Sequence, residues 1–193
     1  MKRNWHSRFA DDIKDYGGYS IGKLFELLSD PGIISLAGGL PSPEIFLKNE
    51  MRSASQRRLN EDIERIMQYS PIAGETSLIH AIIEFLARDG ISISKDNIVI
   101  TSSGQHGLDL TGRLFLNPNE VVLVDRPTFA GAIVAFQLER PKFVGVDIQE
   151  DGSDIDGFRR KIEDLREKNK IPKFIYVVPD FQNPTGITMR LKK

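Results

Sequence analysis

The chain reads as an α/β protein, three layers deep (αβα), around a mainly parallel sheet. Two observations predict this. From residue 97 onward short apolar runs alternate with segments of helical period. The runs are apolar at nearly every position, as expected of strands covered on both faces rather than on one.

The elements follow in order. Residues 20–30 form an amphipathic helix: Ser20 caps it, Ile21, Leu24, Phe25 and Leu28 share a face, and Pro31-Gly32 ends it. Ile33-Ile34-Ser35-Leu36 is a short apolar run cut off by Gly38-Gly39-Leu40-Pro41. Residues 48–66 are polar and helical, and Tyr69-Ser70-Pro71-Ile72-Ala73-Gly74 is a loop. A helix over 76–89 follows, with Leu78, Ile82, Phe85 and Leu86 on one side and Gly90 as its stop. The alternation then places strands at 97–101, 121–125, 143–147 and 174–178. Helices fall at 105–116, 129–138 and 155–169. The mixed charges of the last helix, among them Arg159, Arg160, Glu163 and Asp164, mark a solvated face.

Composition narrows the function classes. The chain has 193 residues, enough for one core and part of a second. A net charge of −1 gives no reason to expect nucleic acid or an anionic membrane as partner. No run of about 18 apolar residues is present, so no membrane span is expected. The basic start, Met1-Lys2-Arg3, is followed by no apolar segment and is not read as a secretory signal. With no cysteine, disulfides and thiolate metal sites are excluded, which fits a cytoplasmic location. His80 and His106 lack metal-ligand company at useful spacing.

Two strand ends carry chemistry. After the run 97–101 come Ser102-Ser103-Gly104-Gln105-His106-Gly107, opening a helix. Small residues there let a ligand approach the backbone, and the first N–H groups of a helix favour a phosphate. The segment lacks the lysine of a P-loop and the glycine spacing of a dinucleotide fold. After the run 174–178 comes Pro179-Asp180-Phe181-Gln182-Asn183-Pro184-Thr185-Gly186. It puts an amide side chain at a strand's carboxyl end, where open α/β sheets bind ligands.

The last segment resembles the signature loop of the pyridoxal 5′-phosphate (PLP) aminotransferases of the aspartate aminotransferase fold (fold type I, class I/II). Five motifs occur in that family's order over residues 20–193: Gly38-Gly39-Leu40-Pro41, Tyr69 to Gly74, Ser103-Gly104-Gln105, Pro127-Thr128-Phe129 and Asn183 to Gly186. Their wording is similar to the branch with 2-aminoadipate, kynurenine and broad-specificity aminotransferases. The resemblance implies amino-group transfer between an α-amino acid and a 2-oxo acid. It implies that Ser103, Gly104 and Gln105 serve the PLP phosphate. Phe129 would stack on the pyridine ring, where similar proteins most often have Tyr, so the phenolic hydroxyl is missing. Asn183 would donate to the cofactor's phenolic oxygen and border the substrate. Tyr69 would reach the neighbouring subunit's phosphate in a homodimer, and the Gly39 N–H would meet the substrate carboxylate.

The same resemblance implies an arm and small-domain segment over residues 1–45, and over 46–193 a PLP-binding large domain incomplete at its C-terminal side. The Schiff-base lysine, the acid at the pyridine nitrogen and the arginine for the substrate carboxylate would all lie downstream of Gly186. No catalytic residue is therefore expected in this chain, and the chain alone is expected to be inactive. Lys95, in Ser92-Ile93-Ser94-Lys95, imitates a Schiff-base context, but its place between a helix stop and a strand marks a surface turn. Residues 187–193 should lead into a helix, and the sheet should keep an open apolar edge prone to self-association. Two alternatives stay open: passive binding of PLP or phosphate, and another PLP reaction such as β-elimination on the same fold.

Overall fold

The structure, a computed structural model, describes residues 5–10, 13, 32 and 39–191. The helix expected over 20–30, the run 33–36 and Gly38 lie outside these residues. The described residues fall into two compact units, one with residues 5–10, 13 and 102–191, the other with 32 and 39–101.

The unit of residues 39–101 is mainly helical. Helix α1, Lys48–Ile66, occupies the expected span and carries no buried residue. It is kinked at Asp62 (φ −153°, ψ 38°), whose carboxylate meets Arg65 Nε at 2.6 Å. Helix α2, Thr76–Ala87, buries Ile79, with Ile82, Ile83 and Leu86 half-buried beside it. That stripe differs from the expected one: Leu78 and Phe85 are exposed. Gly90 stops the segment with φ +76°.

The strand expected over 97–101 is absent. A 3-10 turn, Lys95–Asn97, is followed by extended backbone. An extended segment becomes a strand only when its polar groups ladder onto a neighbour. Here the Ile100 N–H donates instead to the Ala73 carbonyl at 2.8 Å. Gly74 permits that approach, for it sits at φ +113° and a Cβ there would lie 2.6 Å from Ile100 Cβ.

The unit of residues 102–191 holds the sheet. Its elements are α3 (Gly104–Phe115), β1 (Val121–Arg126), α4 (Ala130–Gln137), β2 (Lys142–Gln149), β3 (Gly152–Ser153), α5 (Ile155–Glu167) and β4 (Pro172–Tyr176). The order is β3-β2-β1-β4. β1 runs parallel to both β2 and β4, while β2 and the unforeseen two-residue β3 are antiparallel. The sheet is thus mixed but mostly parallel.

Burial explains the apolar runs. Val121, Val122, Leu123, Val124 and Asp125 are all buried. Val122 and Val124 face Leu116 and the α4 residues Ala132, Ala135 and Phe136. Val121 and Leu123 face the other way, with Val146 and with Phe158 of α5. One strand therefore feeds two cores, and helices cover both faces. Phe136 packs edge-on against Phe174 (5.3 Å) and Tyr176 (5.8 Å). β4 ends two residues before the expected 178, because the chain leaves the ladder there toward the loop that follows.

Candidate functional site

Because β1 and β4 are parallel, the loops leaving their carboxyl ends emerge on the same side of the sheet. Two of the expected site segments are these loops. A third, the start of α3, is bonded to the first.

Ser103 is the N-cap of α3, in extended conformation, and its Oγ accepts from the His106 N–H at 3.2 Å. The next N–H groups, those of Gly104 and Gln105, have no partner within the helix, as in any first turn. Nothing lies within 4 Å of where a Gly104 Cβ would stand, so the approach to this turn is open. The Ser102 N–H donates to His106 Nδ1 (3.3 Å), and the Ser102 hydroxyl lies 2.9 Å from the same nitrogen. His106 Nδ1 is thus an acceptor, which puts the neutral ring's proton on Nε2.

Gln105 turns toward α4: its Nε2 donates to the Gly131 carbonyl at 2.8 Å. Phe129 is not the first residue of that helix, as expected, but its N-cap, and it is half-buried. Its ring lies on Gly131. A Cβ at 131 would fall 2.6 Å from the ring's Cε1 and 2.9 Å from Gln105 Oε1. Thr128 Oγ1 nearby is buried without a hydrogen-bond partner.

The loop after β4 folds back on itself. The Gln182 N–H donates to the Ile187 carbonyl (2.8 Å), the Met189 N–H to the Pro179 carbonyl (2.7 Å), and the Phe181 N–H to Thr188 Oγ1 (3.1 Å). Gly186, at φ +75°, supplies the left-handed residue that the reversal needs. Residues 187–190 are extended and are used in this return. Asn183 is exposed, whereas Gln182 is 1% exposed and donates to the Pro127 carbonyl at 2.8 Å. Side-chain hydrogen bonds therefore link α3 to the Phe129 segment and the Phe129 segment to the Asn183 loop.

Gly39 and Tyr69 belong to the other unit. Gly39 has φ +28° with nothing within 4 Å of a Cβ position, and Tyr69 is 97% exposed. Lys95 lies on the exposed 3-10 turn, as its sequence context suggests.

Three groups in the unit of residues 102–191 were not picked out from the sequence. Gln182 and Gly131 are described above. Asp125, at the end of β1, is 1% exposed; its Oδ2 accepts from Ser153 Oγ at 3.0 Å and its Oδ1 has no partner. Burial pushes its pKa up, against the smaller opposing pull of the Ser153 hydrogen bond. A polar groove of about 430 Å³ between β2 and α5 contains none of the expected residues. Within it Arg126 forms a bidentate pair with Asp147 (2.6 and 2.8 Å) and Arg160 meets Asp154 (3.1 Å). Among the described residues no His, Asp and Glu cluster suits a metal ion, and no helix is long and apolar enough to cross a membrane.

Comparison with known proteins shows the family. Residues 35–193 match the family described as aminotransferase class I and II. The chain is 37% identical over 191 residues to aromatic-amino-acid aminotransferase 1 of Thermococcus litoralis, covering 98% of this chain and 46% of that protein. It is 37% identical over 183 residues to the 2-aminoadipate transaminase of Thermus thermophilus, covering 95% and 44%. The structure of Pyrococcus horikoshii kynurenine aminotransferase, solved with pyridoxamine phosphate (PMP), superposes with a TM-score of 0.90 at 33% identity, covering 98% of this chain and 47% of that one.

The fold and these matches define a class of PLP-dependent enzymes. The chain belongs to the aminotransferase class I and II family, whose cofactor is pyridoxal 5′-phosphate. It spans about half the length of the curated relatives it matches.

Proposed function

We propose that this chain is the cofactor-cradling part of an aminotransferase that moves an amino group between an α-amino acid and a 2-oxo acid. One observation carries the reading. The loops of Phe129 and Asn183 stand at the carboxyl ends of the adjacent parallel strands β1 and β4, and side-chain hydrogen bonds tie them to each other and to Gln105 at the start of α3.

The residues present fit the cofactor's chemistry. A phosphate suits the first N–H groups of α3 at Gly104 and Gln105, reinforced by the helix dipole, with Ser103 as the cap that shapes the turn. The face of Phe129 suits an aromatic ring, and the Asn183 amide suits a phenolic oxygen, whose ionised form its donation would favour. When bound, PLP supplies the electron sink that makes amino transfer possible. Gln105 holds the first turn of α4, and Gly131 leaves room for the Phe129 ring.

The wider assignment rests on the family likeness. Residues 46–193 form the PLP-binding domain and 1–45 an arm with a small-domain segment. Gly39 and Asn183 are each assigned to the substrate, Gly39 to its carboxylate. Tyr69 serves the phosphate of a partner subunit in a homodimer; its full exposure leaves it available for that. The protein works in the cytoplasm, on substrates of the 2-aminoadipate, kynurenine or aromatic type.

No lysine of this chain is assigned to bond the aldehyde, and without such a lysine the 193-residue chain is inactive. Borohydride reduction in the presence of PLP tests this: the account requires no stoichiometric pyridoxyl label on a single lysine, and such a label would overturn it. The reaction is tested on a protein carrying this segment at its relatives' length. An α-amino acid should convert the PLP form to the pyridoxamine form and a 2-oxo acid should reverse it, read by absorbance. Elimination products without this interconversion would favour β-lyase chemistry instead.

A further inference from the structure

We propose that Gln182 is a positioning residue: its buried amide locks the loop bearing Asn183 to the loop bearing Phe129, so that both side chains meet the cofactor as one rigid surface. The inference rests on the PLP reading above and deepens it.

Gln182 is one of three buried polar or charged residues among those described, and it is 1% exposed. Its side chain bonds in two directions. Nε2 donates to the Pro127 carbonyl at 2.8 Å, across 55 residues of sequence. Oε1 accepts from the Thr185 N–H at 3.0 Å and from the Thr185 hydroxyl at 2.7 Å. The amide cannot be reversed. A flip would set oxygen against the Pro127 carbonyl and NH2 against the Thr185 N–H, breaking both contacts.

A buried amide is costly unless its partners are made, so space-filling alone would be met better by Leu or Met. What the amide adds is direction. The Thr185 bonds fix the turn that contains Asn183, and the Pro127 bond fixes that turn against the strand end two residues before Phe129. Gln182's own backbone closes the loop: its N–H donates to the Ile187 carbonyl and its carbonyl accepts from the Gly186 N–H. Asn183 follows directly in the chain, so its direction is inherited from a peptide held on both sides.

The test uses PMP, which has no aldehyde to react with surface lysines, and its analogue lacking the 3-hydroxyl. The parent chain should prefer PMP by about tenfold if Asn183 donates to the phenolic oxygen. Asn183→Ala should abolish the preference, and Gln182→Leu should abolish it as well. A merely structural Gln182 would weaken both ligands equally and keep the ratio, which would overturn the proposal. An unchanged ratio in Asn183→Ala would instead overturn the PLP reading of Asn183, and this inference with it.

Amide hydrogen exchange reads the same coupling without ligand. Gln182→Leu should raise exchange about tenfold in segments 127–131 and 181–188 together. A rise confined to 181–188 would contradict the lock whether or not PMP binds. If Gln182→Leu does not fold, judged by circular dichroism, Gln182→Glu carries the test. It keeps the acceptor for Thr185 and loses the donor to Pro127, so 127–131 should loosen while 181–188 stays protected.

Discussion

Asp125 ends the buried part of β1 with one carboxylate oxygen on Ser153 and the other unpartnered. Its raised pKa means that the folded chain holds the proton more tightly than the unfolded one. The associated stability is fully present below the unfolded value, about 3.9, and is lost as pH rises through the folded value. Asp147, drawn down by its hydrogen bond to Arg126, works in the opposite sense. The Asp125 effect is therefore isolated by comparison: Asp125→Asn should gain stability on the parent chain as pH is raised from about 4 to about 7. Urea midpoints across that range check this, and a constant difference between the two proteins would refute it. At this scale the sequence was least informative. Asp125 reads as a strand-end residue and Gln182 as a turn residue until Ser153 and the Pro127 carbonyl, distant in sequence, are brought against them.

At the scale of elements, local signals translated well where one segment decides its own structure. Ser103 looks like a cap and is one, so Ser103→Ala should cost about 1 kcal/mol of stability and Ser103→Gly less. A single thermal or urea series over the two variants distinguishes the cap from a mere surface serine. The run 121–125 reads as a doubly covered strand because every residue is apolar up to Asp125, and it is. Phe136 joins α4 to β4 through two edge-on aromatic contacts. Phe136→Ala should cost about 3–5 kcal/mol, seen as a lowered urea midpoint with the slope unchanged. Elements that depend on a partner were misjudged. Residues 97–101 have strand composition, yet Ile100 bonds a loop carbonyl. β3 has two residues, too few for any period to register.

For the whole molecule, one feature of the sheet has a solution consequence. β4 pairs with β1 on one side, and among the described residues no strand pairs with its other edge. Ile171, Ile175 and Phe181, on and around it, are exposed. Such an edge recruits other chains unless charge blunts it. The isolated chain should thus show a mass that grows with concentration in light scattering, and the double substitution Ile171→Lys and Ile175→Lys should reduce that growth; a monomer at all concentrations would speak against it. The family was legible because five short motifs kept their order along the chain. The ties among Gln105, Gly131, Pro127 and Gln182 were not, since they are contacts between separate crossovers.

Backbone amide shifts of the 15N-labelled chain during titration with PMP test the site most directly. Saturable shifts should gather at residues 104–106, 129–131 and 185–186, the turns around the expected phosphate, ring and phenolic oxygen. Saturable shifts gathered instead in β2 and α5, or in residues 39–101 alone, would contradict the placement of the cofactor between α3 and the loops of Phe129 and Asn183.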